Sequence, residues 1–218
     1  MKIKWLGHSS FLIEAGDGKR IITDPYEPGA YGGAVGYKKI EESADIVTVS
    51  HEHEDHNCCK GMKGSPEIVK GTGEKAIKGI KISGVPSYHD SSGGSERGEN
   101  TIFSFEIDGM KVCHLGDLGH LLSDEDSSKI GDVDVLLIPV GGFYTIDAAE
   151  ATKVVGKLNP KVVVPMHYKT EVLGFDIAGV DNFLADKKNV KRLDSSEIEL
   201  KKESLPAESE IVVLKHAL

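Results

Sequence analysis

Cysteine is scarce, with three residues in 218, and two of them, Cys58 and Cys59, are adjacent. Such a set cannot build a disulfide framework, so free thiols in a reducing cytoplasm are expected. Long apolar runs are also missing. The most apolar stretch, VDVLLIPV at 133–140, has the length of a strand and falls far short of the roughly 18 residues of a membrane span. The first residues, MKIKWLGHSS, lack an apolar core and a small-residue cleavage site, so no secretory signal is expected. Positive charge is in deficit. Lys and Arg number 26 against 35 Asp and Glu, a net −9 with histidine neutral. That balance excludes a general nucleic-acid binder and a protein held by anionic lipid. No repeat, linker or low-complexity segment interrupts the chain, and one domain over 1–218 is expected. Glycine and histidine, by contrast, are plentiful, with 25 and 9 copies.

The chain reads as many short strands and few helices. KIKWL, SFLIEA and KRIIT form a meander, with Asp17–Gly18 as a hairpin turn, closed by Asp24–Pro25. A Gly-rich loop runs from Pro28 to Gly36. ADIVTVS at 44–50 is continuously apolar, as a strand buried on both faces would be. EIVK and IKISGV are further strands with room for a short helix between them. Residues 90–100 carry no periodicity and form a loop; TIFSFEI and MKVCHLGD then flank a second hairpin at Asp108–Gly109. VDVLLIPV and KVVVPMH are buried-type strands around a helix, AAEATKVVGKL, capped by Asp147 with Glu150 three residues on. A weaker helix is expected near 178–187 and a last strand at 211–214. Cys58 and Cys59 read as the first turn of another helix.

The chemistry concentrates in VTVSHEHEDHN, where His51, His53, Asp55 and His56 fall within six residues, directly after a buried strand. On extended backbone, residues 51, 53 and 55 point the same way, so two imidazoles and a carboxylate converge. Imidazole and carboxylate without thiolate suit an open zinc, iron or manganese site and not a closed structural zinc.

H-x-H-x-D-H after a buried strand resembles the metallo-β-lactamase superfamily. The resemblance continues through TDP at 23–25, PSYHD at 86–90, HLGDLG at 114–119 and VPMHY at 164–168. WLGHSSFLIE and VGGFYTIDAAEA are similar to a narrower group that includes L-ascorbate-6-phosphate lactonase and the N-acylphosphatidylethanolamine phospholipase D type. The resemblance implies an α/β (α+β) fold, a four-layer αββα sandwich with its site along one edge. It implies two divalent ions, zinc foremost and manganese or iron as alternatives: His51, His53 and His89 on the first, Asp55, His56 and His167 on the second, Asp117 bridging. Asp24 lies beneath them, hydrogen-bonded to a ligand or its loop. His114 competes with His89, but it stands three residues before Asp117 on a strand, where side chains point to opposite faces, and His89 is preferred.

The implied activity is that of a cytoplasmic hydrolase. Hydroxide shared between the ions attacks a small ester, lactone or phosphodiester, and Asp55 orients the nucleophile and moves its proton. The alternatives are a redox-active di-iron protein and a non-catalytic ligand sensor. Redox members carry glutamate where this chain has His53, which favours hydrolysis. His8 either contacts substrate or caps a turn. Arg97 is a clamp for phosphate or carboxylate, or a solvated loop residue; Tyr144 aims its hydroxyl into the cleft, or does not. His120 is a weaker cleft-lining candidate and His216 a surface residue. The partner is a small molecule, neither nucleic acid nor membrane, and a homo-oligomer is compatible with the sequence.

Overall fold

Local turn chemistry sets the first pairings. At Asp108–Gly109 both residues adopt positive φ, 50° and 73°, the two-residue turn whose twist matches antiparallel strands. It places Ile107 opposite Met110. The computed structural model describes residues 1–218. The strands in chain order are β1 (Lys2–Gly7), β2 (Ser10–Glu14), β3 (Arg20–Thr23), β4 (Ile46–Val49), β5 (Glu67–Lys70), β6 (Gly73–Ile77) and β7 (Ile80–Tyr88). They continue as β8 (Glu99–Ile107), β9 (Met110–His114), β10 (Val135–Pro139), β11 (Val162–Met166), β12 (Val190–Arg192), β13 (Glu197–Glu199) and β14 (Glu210–Val213). The helical segments are a turn, α1 (Ala30–Gly33), and three helices, α2 (Asp124–Ile130), α3 (Ala148–Leu158) and α4 (Val180–Leu184).

Two sheets result. One runs β13-β1-β2-β3-β4-β5 and the other β12-β14-β11-β10-β9-β8-β7-β6. The hairpin-linked strands are antiparallel, whereas β4 lies parallel to β3, and β10 parallel to both β9 and β11. Every residue of β4, β10 and β11 is buried, as their unbroken apolar runs require. Alternation in the first sheet is clean. Ile3, Trp5, Phe11, Ile13, Ile21 and Ile46 face the core shared with the second sheet, while Leu6, Leu12, Ile22 and Val47 face outward. The mixed α/β sandwich expected from the sequence is therefore the architecture observed.

The layers outside the sheets differ. Helices α2, α3 and α4 accompany the eight-stranded sheet. The outer face of the other is covered by largely non-helical chain carrying Tyr26, Val35, Tyr37, Leu173 and Ile177. The capping box at Asp147 and Glu150 forms as expected, with each residue bonded to the other's backbone amide.

Four local expectations are corrected. The segment between EIVK and IKISGV is strand β6, turned into β7 by Lys78–Gly79 at φ 50° and 83°. Cys58 and Cys59 start no helix; they sit in irregular chain, where the Cys58 amide donates to Pro25 O. The helix near 178–187 shrinks to Val180–Leu184. His216, expected at the surface, packs edge-on against Trp5 and Tyr37. All three cysteines are free, and no helix is long and apolar enough to cross a membrane.

Candidate metal centre

The candidate ligands all follow the C-terminal ends of strands, which carry them to one edge of the sandwich. His51, His53, Asp55 and His56 follow β4, His89 follows β7, Asp117 follows β9 and His167 follows β11. Cross-links between the two sheets fix that edge: the Thr101 amide donates to Ser50 O at 2.9 Å, and the His167 amide to His8 O at 3.2 Å. Three residues here adopt positive φ without being glycine: His8 at 51°, Asp24 at 38° and His167 at 48°. Each costs of order 1–3 kcal/mol, and such strain gathers where function over-determines the geometry.

Oδ2 of Asp117 is the centre of the cluster. Nε2 of His56, His89 and His167 each lie 3.2 Å from it, and His51 Nε2 lies 3.9 Å away. Nitrogen and oxygen bound to one tetrahedral ion at about 2.0–2.1 Å stand about 3.3 Å apart, and the three 3.2 Å separations match that spacing. Three groups have their donor atoms within 4.8 Å of one another: His51, His53 and His89; His8, Asp55, His56 and His167; and Asp24, His51 and His56. Buried His56 Nε2, Asp55 Oδ1 and Asp117 Oδ1 have no hydrogen-bond partner. Unpartnered buried donors and acceptors of this kind require a reason, and a cation among them supplies one.

Asp24 orients the imidazoles from below. Its Oδ1 accepts the Ser50 amide at 2.8 Å, and its Oδ2 accepts the Ser50 hydroxyl at 2.5 Å and His56 Nδ1–H at 2.9 Å. A carboxylate only accepts, so the Ser50 hydroxyl proton is committed to it. His51 Nδ1, 2.9 Å from Ser50 Oγ, must then donate. His51 is left with an unprotonated Nε2 facing the cluster, and His56, with Nδ1–H committed to Asp24, presents its Nε2 there as the atom a metal would take from its proton. Asn100 completes the support. Its Oδ1 accepts the Asp117 amide at 3.0 Å, and its Nδ2 donates to Leu115 O at 2.9 Å.

Electrostatics agree with the donor chemistry. Burial and the neighbouring His56 push His51 down to about 3, and burial and His167 push His8 down to about 4. Asp55 and Asp117 stay ionised below the usual carboxylate range against burial, Asp55 through His56 and His8, Asp117 through His167 and His56. His56 alone is raised, against burial, by Asp117 and Asp55. Neutral imidazoles and ionised carboxylates are the forms that bind a divalent cation, and the one favoured proton lies where a cation would replace it.

A cavity of about 260 Å³ opens over this floor, lined below by His53, Asp55, His89, Asp117 and His167. Its walls are Tyr31, Arg97, Tyr144 and Phe175, so Arg97 and Tyr144 reach the cleft together. His8 does not. Fully buried, it sits behind Asp55 with Nε2 3.0 Å from Oδ2, which corrects the reading of it as a substrate contact. His114 is a satisfied core histidine, its Nε2 2.8 Å from Ser9 O and its Nδ1 accepting the Gly116 amide. His120 Nε2 accepts the Tyr88 amide and does not line the cavity. Ser50 and Asn100 as supports, and Tyr31 and Phe175 as walls, carry no signal in the sequence pattern. The two aromatic residues come from distant loops and meet at 5.6 Å between ring centroids.

Residues 2–167 match the family model described as a beta-lactamase superfamily domain. A UPF0173 metal-dependent hydrolase of Thermococcus onnurineus is 31% identical over 229 aligned positions, covering 91% of this chain and 98% of the relative. Another, of Pyrococcus abyssi, is 32% identical, covering 78% and 85%. Among solved structures, a metallo-beta-lactamase superfamily protein of Thermotoga maritima, for which zinc-dependent hydrolysis has been suggested, superposes with a TM-score of 0.82. It shares 41% identity, over 98% of this chain and 97% of that one.

Proposed function

The chain belongs to the metallo-β-lactamase superfamily of metal-dependent hydrolases, and on that premise we propose that it is a two-metal hydrolase of a small ester, lactone or phosphodiester. The supporting observation is the set of three imidazole nitrogens at 3.2 Å around one oxygen of Asp117. His51, His53 and His89 would hold one ion and Asp55, His56 and His167 the other, with Asp117 available to both. Two divalent ions there supply a water of lowered pKa and polarisation of the substrate oxygen. Zinc suits the imidazole-rich set best, and manganese suits its carboxylates.

The protein's own groups do the rest. Asp55 is anchored through Oδ2 by His8, while Oδ1 has no partner and receives the proton of the attacking water. His8 thereby fixes the direction of the base without meeting substrate. Asp24 and Ser50 keep His51 and His56 in the metal-binding tautomer. The cavity, at about 260 Å³, suits a small substrate held against Tyr31, Tyr144 and Phe175. In this reading the whole chain is one such domain acting on a cytoplasmic small molecule. The test is turnover of bis-p-nitrophenyl phosphate, p-nitrophenyl butyrate and a small lactone panel by zinc- or manganese-loaded protein, with Asp117→Asn as control. Chelator-sensitive hydrolysis lost in the variant is expected. Metal-loaded protein inert on all three bond types would overturn the proposal.

A further inference from the structure

The strongest feature the proposed reaction leaves unused is Arg97. Its loop is ordered by Asp90, whose carboxylate accepts the amides of Ser92, Gly94, Glu96 and Arg97 itself at 2.8–3.0 Å. The guanidinium is then carried over the Tyr144 ring, 5.9 Å from its centroid. A cation–π contact at this distance restrains the guanidinium at the cavity wall and leaves its N–H donors free. The nearest carboxylate, Glu96 Oε2, is 3.7 Å away, beyond hydrogen-bond distance, and on a largely exposed side chain. Arg97 is therefore a cation whose one ion pair is a loose, solvent-facing contact with Glu96, with no side-chain hydrogen bond committed.

Its surroundings narrow the choice of ligand. Arg97 is the one lysine or arginine lining the cavity, and the carboxylates there, Asp55 and Asp117, belong to the metal floor. Lys70, in the adjoining groove that shares His53 and Arg97, is already neutralised by Glu52 at 2.5 Å. A chain of net charge −9 repels anions at long range, so an anionic substrate needs a local cation such as this one. Beside it, Tyr144 and Phe175 meet at 5.6 Å and Phe175 and Tyr31 at 5.6 Å, a continuous aromatic wall.

We infer that Arg97 binds an oxyanion of the substrate, carboxylate or phosphate, set apart from the bond being cleaved, while an apolar body lies against Tyr31, Phe175 and Tyr144. The inference rests on the hydrolase reading for its location. The probes are three p-nitrophenyl esters of similar length, those of succinate, 3-phosphonopropanoate and butyrate, offered to zinc-loaded protein. Wild type is expected to favour one or both anionic esters over butyrate by about ten- to a hundredfold in kcat/KM, the range of a charge-assisted hydrogen bond. Which of the two is favoured separates carboxylate from phosphate. Arg97→Met brings the preference to near unity. Arg97→Lys restores only part of it, because an ammonium lacks the planar fork that pairs an oxyanion through two N–H groups. Lys70→Met leaves the ratio unaltered. Absence of any preference in wild type, or its survival in Arg97→Met, would overturn the inference. If no ester is hydrolysed, the hydrolase reading fails on these bonds, and titration calorimetry with 3-phenylpropionate decides the point for Arg97. A dissociation constant raised about tenfold or more in Arg97→Met supports the inference, and an unchanged one refutes it.

Discussion

Replacing Asp24 by asparagine preserves shape and burial and changes only what two histidines are told to do. Asp24 is fully buried and accepts three hydrogen bonds, from the Ser50 amide, the Ser50 hydroxyl and His56 Nδ1. In Asp24→Asn the atom facing Ser50 Oγ and His56 becomes an NH₂ group, which donates. The Ser50 hydroxyl then turns to His51 Nδ1, 2.9 Å away, and His56 Nδ1 must accept. Both imidazoles move their proton to Nε2, the atom aimed at the metal. Losing one such outer partner costs 10–100-fold in metal affinity, and two histidines are turned here. The expected loss is about 100-fold or more, ~2.8 kcal/mol at 1.4 kcal/mol per decade. Folding suffers less. Three charge-assisted bonds become neutral ones, offset in part by the lower cost of burying a neutral amide, for a net of about 1–2 kcal/mol, and the melting temperature of metal-free protein falls by a few degrees. Competition against a chromophoric chelator measures the affinity. A variant that binds zinc within about twofold of wild type would refute the tautomer reasoning.

His53→Ala should lose metal and activity while the metal-free fold survives, since His53 is only half-buried and the core lies elsewhere; circular dichroism beside elemental analysis checks this, and global unfolding would contradict it. Gly116→Ala should destabilise by about 2–4 kcal/mol in denaturant titration, because φ is +56° there and the new Cβ would stand 2.3 Å from Asn100 Oδ1, dislodging the acceptor that holds the Asp117 amide. Asp90 should make the 92–97 loop acid-labile. The loop amides, Arg97 first, hold its pKa at about 2, below the ordinary carboxylate value, so their bonds are fully present above about pH 4 and are lost as pH falls through 2. Amide exchange at residues 92–97 should quicken on that descent and be fast at neutral pH in Asp90→Ala; protection unchanged by either would disprove the role.

Legibility followed the strength of the local signal. H-E-H-E-D-H was readable because consecutive ligands share one strand end, and His89, Asp117 and His167 because each follows a strand and matches a family motif. The preference for His89 over His114 came from strand alternation, and His114 does turn into the core. Strand β6 was missed because its turn is Lys78–Gly79 rather than the Asn-Gly or Asp-Gly that usually announces positive φ at both positions. Helix α2 escaped because only Ile130 of its seven residues is buried, leaving no apolar stripe, although Ser123 and Asp126 do form a capping box. Strands β12 and β13 have three residues each and exist through pairing with β14 and β1, which no local pattern encodes. Half of the cavity wall was illegible for the same reason: Arg97 and Tyr144 are candidates in the sequence, whereas Tyr31 and Phe175 are not. Tyr31, Arg97, Tyr144 and Phe175 converge through tertiary folding of four separate loops.

Metal content measured by elemental analysis, on protein purified without added metal and again after zinc and manganese are offered and the excess removed, tests the central claim most directly. A centre built as proposed holds about two equivalents of zinc or manganese per chain. Protein that retains no ion after reconstitution, or a coloured protein holding iron alone, would contradict it.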